Sequence, residues 1–354
     1  MLARFFLRLT RPTALVGALL LACSAVAPVA MADQPSAVPT PNGTASKVTW
    51  EKAPDGSYKY VVNGHPEEFI GMGYDPIYRH LSDQQRTEYY KRDFAIMRDA
   101  GVNTIMGWDE DKGYDQDKFD ELTLNVANEY GIGVVMPLNL PPWGEYDDPG
   151  FVNLLLDQAR AKVTRFKDYP AVRLWGVGNE VFGYMDPEMW PSFTQAYLKI
   201  ADVFHQMDPN HPVIYREAED VYMDNFGWML RESGDMRPWL LYGMNVYNKD
   251  LDPFLNRWPS WGLDRPLLIS EFGAEGISPE QRANGYMEMW QSIDAHRKYV
   301  IGGAPYVWTT EGPEPTDKIW GLMDGNSQAV DSTFAQLAQL WRAEPGANGL
   351  APRS

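Results

Sequence analysis

Cysteine is nearly missing from these 354 residues. The single one, Cys23, excludes a disulfide framework within the chain and any thiolate metal cluster. Five histidines, at positions 65, 80, 205, 211 and 296, show no metal-ligand spacing. Positive charge is scarce: 31 Lys and Arg stand against 48 Asp and Glu, a net charge of −17. That balance lacks the basic footprint a nucleic acid or an anionic membrane surface requires. Gly176 and Gly178 have Val181 where a dinucleotide fingerprint needs its third glycine. No Gly-x-Ser-x-Gly elbow offers an esterase nucleophile. The acidic segment from Asp109 to Glu121 carries Tyr114 where a calcium loop turns on glycine, so it reads as a solvated acidic loop rimming a site. The expectation is chemistry without metal or cofactor. Aromatic residues, in contrast, are plentiful: 13 Trp and 19 Tyr hint at sugar-binding surfaces.

Residues 1–32 read as an address. Arg4, Arg8 and Arg11 precede an apolar run from Thr13 to Ala22, with no acid before Asp33. The run is broken too early, by Ser24 and Pro28, to serve well as a membrane span. Ala30-Met31-Ala32 offers one cleavage site. Leu20-Leu21-Ala22-Cys23 offers another, a lipobox that makes residues 1–22 a lipoprotein signal and lipidated Cys23 the one possible membrane tether. Either leaves an extracytoplasmic protein: periplasmic, secreted or anchored in the envelope. Residues 33–47, rich in Pro, Ser and Thr, read as a flexible tether, and 346–354 as a tail.

Between them, residues 48–345 alternate strand and helix. Tyr58 to Val62 and the Asn63-Gly64 turn form an N-terminal hairpin. Eight strands begin near Phe69, Asn103, Ile132, Val172, Pro212, Leu240, Pro266 and Ile301. Helices are expected over Ser82–Ala100, Asp117–Tyr130, Asp148–Lys167, Pro187–Met207, Pro279–His296 and Ala329–Trp341, with weaker ones after Arg216 and Leu251. The strands are short continuous apolar runs, as parallel strands buried on both faces must be. Eight units close a barrel, so the fold class is α/β, a single (β/α)8 barrel preceded by a β-hairpin.

In such a barrel the chemistry sits where the strands end. Glu180 and Glu271 each close an otherwise uncharged strand, the fourth and the seventh, and a carboxylate there is costly to desolvate unless paired or used. Both strand ends face the same mouth. Two carboxyls about 5–5.5 Å apart suit a retaining glycosidase, one attacking the anomeric carbon and the other protonating the departing oxygen. Each could instead be a structural acid bonded to backbone amides or to an arginine.

Trp175-Gly176-Val177-Gly178-Asn179-Glu180 resembles the strand-four motif of the clan A glycoside hydrolases, and Ile269-Ser270-Glu271-Phe272-Gly273 resembles their strand-seven motif. Asn245-Val246-Tyr247 is similar to the strand-six segment. The stretch Trp308 to Gly325 resembles the last strand and loop of the family 2 catalytic barrel, and residues 58–74 resemble the entry to that barrel and to family 72; family 5 is a further likeness. The two glutamate motifs are short, but they come in order and 91 residues apart (271 − 180). The resemblance implies Glu180 as general acid/base and Glu271 as nucleophile. It implies Asn179 bound to the sugar 2-hydroxyl, Tyr247 donating to Glu271, and Trp308 as the platform beneath the sugar. Trp108 and Trp143 are candidates for further subsites or for core packing under a loop. One departure stands out: the arginine these families place near the end of strand two is Met106 here, so either another cation replaces it or the site is weakened. The function implied is a retaining glycoside hydrolase or transglycosylase cleaving a β-glycosidic bond in an oligo- or polysaccharide. The alternative is a catalytically silent glycan-binding barrel of the envelope.

Overall fold

The computed structural model describes residues 40–109, 117–233, 237–247, 250–274 and 281–343. The leader, Cys23, residues 33–39 of the tether and the tail lie outside them. Eight parallel strands close a barrel: β4 (Phe69–Gly73), β5 (Thr104–Met106), β6 (Gly133–Leu138), β7 (Val172–Asn179), β8 (Val213–Ala218), β9 (Leu240–Val246), β10 (Leu267–Phe272) and β11 (Val300–Pro305), with β11 pairing back onto β4. Every strand begins within one residue of the position read from the sequence.

Helices follow the strands for local reasons. Ser82 accepts from the Gln85 amide and Gln85 reciprocates, which starts α1 (Asp83–Ala100), and Gly101 ends it at φ 101°. Helix α2 (Glu121–Glu129) begins four residues later than expected, because the Asp120 side chain takes the Thr123 amide and fixes the cap there. Asp148 caps α3 (Pro149–Phe166) on the Phe151 amide. After a short turn α4 (Val181–Tyr184), helix α5 (Trp190–Met207) starts three residues past Pro187, whose first turn is 3₁₀. Helices α6 (Glu219–Glu232), α7 (Asp252–Arg257), α8 (Arg282–Ala295), α9 (Asp317–Trp320) and α10 (Thr333–Ala343) complete the ring.

The apolar core has two layers. Between strands and helices lie residues such as Phe94, Val134, Phe166, Leu267 and Trp341. Inside the barrel lie Phe69, Met106, Val135, Leu174, Ile214, Leu241, Leu268 and Ile301. Burying each large side chain contributes about 1.5–3 kcal/mol. The hairpin is part of a three-stranded antiparallel sheet, because β1 (Val48–Lys52), absent from the sequence reading, pairs with β2 (Tyr58–Val62), which pairs with β3 (His65–Glu67). Val48, Tyr60 and Val62 join the inner core, with the Tyr60 ring edge-on to Phe69 at 5.8 Å. Backbone bonds from Val48 to Asn210 and from Tyr58 to Lys298 tie this sheet to turns that precede β8 and β11. It therefore closes the amino-terminal end of the barrel and leaves the carboxyl-terminal end as the mouth.

Two expectations need correction. Residues 40–47 are not a free tether: Asn125 donates to the Thr40 carbonyl at 2.9 Å, Asn128 reaches Asn42, and Ser46 is buried against His211. Asparagines on α2 supply the partners, and these are invisible to composition. The described acids of the 109–121 segment are not solvated either. Asp109 and Asp117 pair with Lys162, Asp120 with Arg86, and Glu121 with Arg165.

Gly302 sits at φ 146°, and a Cβ there would lie 1.9 Å from the Phe69 carbonyl oxygen. The β11–β4 seam that closes the barrel depends on that approach. Gly302→Ala is expected to cost at least about 3 kcal/mol, read as a lowered urea midpoint; an unchanged midpoint would show that the seam tolerates a side chain.

Candidate active site

The seventh barrel strand, β10, slips register against both neighbours just before Glu271. Such a bulge re-aims the side chain that follows, and Glu271 ends 4% exposed at the mouth. Both of its oxygens are occupied: Trp108 Nε1 donates to Oε1 at 2.9 Å and the Tyr247 hydroxyl to Oε2 at 2.6 Å. The fourth strand, β7, also slips, between Gly176 and Asn179. Glu180 then adopts φ 52°, an uncommon conformation for a residue with a side chain, and its amide bonds the Arg216 carbonyl.

Asn245 joins the two strand ends. It lies opposite Glu271 in the β9–β10 register, and its Nδ2 donates to Glu180 Oε1 at 2.9 Å and to Asn179 Oδ1 at 3.2 Å. Its own Oδ1 accepts from Ser270 Oγ at 2.7 Å. One amide thus brackets Glu180 and Asn179 beside the strand that carries Glu271. Phe182, in the turn after Glu180, is held in turn by Glu217 on β8, which accepts its amide at 3.0 Å, the Ala218 amide at 2.8 Å and the Tyr215 hydroxyl.

Burial pushes the Glu271 carboxyl up to about 8, and the Glu180 charge adds to it; the Tyr247 hydroxyl, the Arg216 guanidinium and the Trp108 N–H pull the other way. Glu217 is pushed up to about 7, chiefly by burial. Burial and then the Glu271 charge raise Tyr247 well above the ordinary phenol value, so it remains a donor. The glutamate pair therefore keeps one proton into the neutral range, and the Tyr247 hydroxyl, the Arg216 guanidinium and the Trp108 N–H favour the ionised form of Glu271.

Arg216, from β8, is a cation at the mouth whose charge acts on Glu271. Met106 packs inside the barrel with Val135, Leu174 and Ile214. The charged pair Arg216-Glu217 breaking the apolar run Val213-Ile214-Tyr215 of β8 was the signal for this cation in the sequence.

The expected aromatics divide. Trp108 bonds Glu271 and meets Tyr306 edge-on at 5.3 Å. Trp143 is 74% exposed on the loop after β6, and no described contact joins it to the glutamates. The platform role expected of Trp308 is corrected: its ring is 0% exposed and packs on Phe334 of α10, where no ligand can touch it. Tyr306, two residues earlier, takes the place beside the site, 5.9 Å from Tyr247 and anchored by its hydroxyl to Asp317 at 2.7 Å. Trp320 extends this aromatic floor, 5.2 Å from Tyr247. Tyr184 stands 75% exposed, its hydroxyl pushed up first by the charge of Glu180 and then by burial.

Residues 86–308 match the family described as Glycosyl hydrolases family 2, TIM barrel domain. The chain belongs to that family. Among family 2 relatives it is 24% identical over 259 residues to a β-glucuronidase of Bacteroides fragilis, covering 68% of this chain and 33% of the relative. It is 22% identical over 283 residues to the β-galactosidase of Kluyveromyces lactis, covering 73% and 25%. The chain thus spans a third or less of these relatives' length. Of solved structures, the β-D-glucuronidase of Dictyoglomus thermophilum superposes with a TM-score of 0.63 at 20% identity, over 85% of this chain and 54% of that one. That likeness is one of fold.

The coupled pair, with Glu271 raised from 4.5 to about 8, binds more protons folded than unfolded between those values. Stability therefore falls as pH rises through that window, by about 1.4 kcal/mol per pH unit at most. Glu271→Gln removes the titrating group. Its melting temperature, relative to the parent protein, is expected to rise from about pH 5 to about pH 9; a difference flat in pH would show that the pair holds no proton across that range.

Proposed function

We propose that this chain is a retaining glycoside hydrolase or transglycosylase that cleaves a β-glycosidic bond by double displacement. One observation carries the reading: a buried carboxylate at a strand end, with a donor on each oxygen, beside a second carboxylate held by Asn245. The first suits a nucleophile, since the donors favour its ionised form and fix its direction. The second accepts from the neutral Asn245 amide and is suited to carry the proton that a leaving group needs.

In this reading a Glu271 oxygen bonds the anomeric carbon as the glycosidic bond breaks, and the Glu180 proton passes to the departing oxygen. Glu180, now a base, takes a proton from water or a sugar hydroxyl. That oxygen attacks the anomeric carbon and frees Glu271. Asn179, whose amide donor end has no acceptor among the described residues, is suited to the 2-hydroxyl. Tyr306 is suited to the sugar face, because C–H groups pack on aromatic rings. Exposed Tyr184 and Trp143 are suited to sugars on the open side. The printed names of the relatives speak of glucuronides and galactosides, so the sugar at the reacting position is a matter for a panel of aryl β-glycosides. The leader read over residues 1–32 adds an extracytoplasmic setting, and the mass of the mature amino terminus decides between Asp33 and lipidated Cys23.

Glu271→Ala is expected to lower kcat/KM on the best aryl glycoside below about a thousandth of the parent value, and a 2-fluoro-glycoside is expected to add its glycosyl mass to Glu271 in the parent protein. No covalent mass and no turnover would favour the silent glycan-binding barrel instead. Glu180→Gln is expected to lose about 100-fold or more with a poor leaving group and far less with an activated one; equal losses would remove Glu180 from the acid role.

A further inference from the structure

The barrel mouth holds one feature that the double displacement as written leaves unused: the Arg216 guanidinium. Arg216 is 2% exposed, yet it makes no ion pair among the described residues. Its Nη1 donates to the Gly107 carbonyl at 3.3 Å, and its Nε has no partner. A buried guanidinium with so few acceptors is costly unless charge elsewhere offsets it. Gly243 lies opposite Arg216 in the β8–β9 register, and a Cβ there would stand 2.6 Å from Ser270 Oγ and 3.0 Å from Arg216 Cγ, so the absent side chain leaves space for both.

The guanidinium lies over the Trp108 ring, 5.6 Å from its centre, and Trp108 is the residue whose N–H holds Glu271 Oε1. The geometry points to Arg216 as the positioning residue of the site. It clamps the Trp108 ring so that its N–H meets Glu271, and it supplies, through space, the positive charge that keeps Glu271 rather than Glu180 ionised. Asp109, the other acid in reach, is paired with Lys162 at 2.5 Å, and Glu271 is the acid whose charge acts most strongly on Arg216. The absence of a direct ion pair is consistent with this role. A salt-bridged carboxylate would surrender an oxygen, whereas one stabilised at a distance keeps its lone pairs for bonding.

This inference rests on the glycosidase reading for its kinetic test. The other groups facing the pair are Glu217 on β8, Tyr247 after β9, Tyr306 after β11, Asp109 after β5 and Tyr184 on α4, and each is common to parent and variants. Loss of the cation should raise both proton affinities of the pair. R216Q is expected to move both limbs of the kcat/KM–pH profile upward by about one pH unit and to lower kcat more than it raises KM. R216K keeps the charge without the planar stack; its limbs are expected to stay within about half a pH unit of the parent's. A purely structural role would alter kcat or stability and leave the limbs in place. Coincident limbs for R216Q and the parent, or equal displacements for R216Q and R216K, overturn the proposal. If R216Q does not fold, R216M, which is also neutral and keeps an apolar stem, takes its place: limbs displaced by about one unit support the role of charge, and limbs coincident with the parent's overturn it. A cycle of the neutral variant (R216Q or R216M), E271Q and the double variant, read as melting temperature against pH, needs no substrate. A coupling that appears only as Glu271 ionises supports the proposal even if the chain hydrolyses nothing, and its absence from an active enzyme sinks the Arg216 role while leaving the glycosidase reading intact.

Discussion

Carrying the Glu271 carboxylate out of water is the constraint around which the rest of the barrel mouth is arranged. An ionised carboxylate without partners cannot persist in an apolar interior. Here its compensation is spread over an indole N–H, a phenol hydroxyl and a cation at a distance. None of these cancels the charge as a contact ion pair would, and each leaves lone-pair directions open. Holding without neutralising is what a nucleophile requires, and it accounts for the direction of the Glu271 shift: burial outweighs the donors. The same arrangement makes the site a thermodynamic burden on the fold at alkaline pH. The apolar sheet of Val48, Tyr60 and Val62 at the opposite end is where the barrel can compensate, because no chemistry is asked of it.

Full ion pairs are used elsewhere, one layer out. Lys162 with Asp109 and Asp117, Arg86 with Asp120, and Arg165 with Glu121 knit α3, α1 and α2 to the loop after β5. Buried pairs of this kind add less stability than their number suggests, but they fix geometry. Their position fits that use. The loop they hold begins at Trp108 and Asp109, so the salt bridges set the backbone from which the indole reaches Glu271. Glu217 plays the matching part on the far side, anchoring the turn that follows Glu180 through two backbone amides.

Much of this was legible in the sequence. Strand starts followed from apolar runs bounded by turn residues, since strands buried on both faces leave little ambiguity. Glu180 and Glu271 were legible because a charge ending an apolar strand contradicts its surroundings, and Tyr247 because the resemblance names it. β1 escaped because Val48-Thr49-Trp50-Glu51-Lys52 becomes a strand only by pairing with the hairpin. The docking of residues 40–47 escaped because it depends on two asparagines more than 80 positions away. Asn245 was visible only as part of the strand-six likeness, since its bracketing of Glu180 is a matter of register. Trp308 was misplaced for a different reason. Its stretch matches the family's pattern, but past the end of β11 two residues decide whether a ring faces the mouth or the helices. Pattern cannot resolve a shift that small.

Arg216 and Met106 together show what a barrel permits. Eight strand ends converge on one mouth, so a charge needed there can be delivered from any strand whose neighbours yield space. Beside Arg216 on β8 that space comes from Gly243 on β9. On β5 the corresponding volume is filled by Met106, which belongs to the inner core. Placing an arginine at 106 would leave two guanidiniums contending for one pair of carboxylates, and leaving Met106 without Arg216 would give the buried pair no cation among the side chains shown to act on Glu271. The two residues are therefore best understood as one choice. A glycine opposite a charged strand-end residue is the sequence signal by which such a relocation can be found.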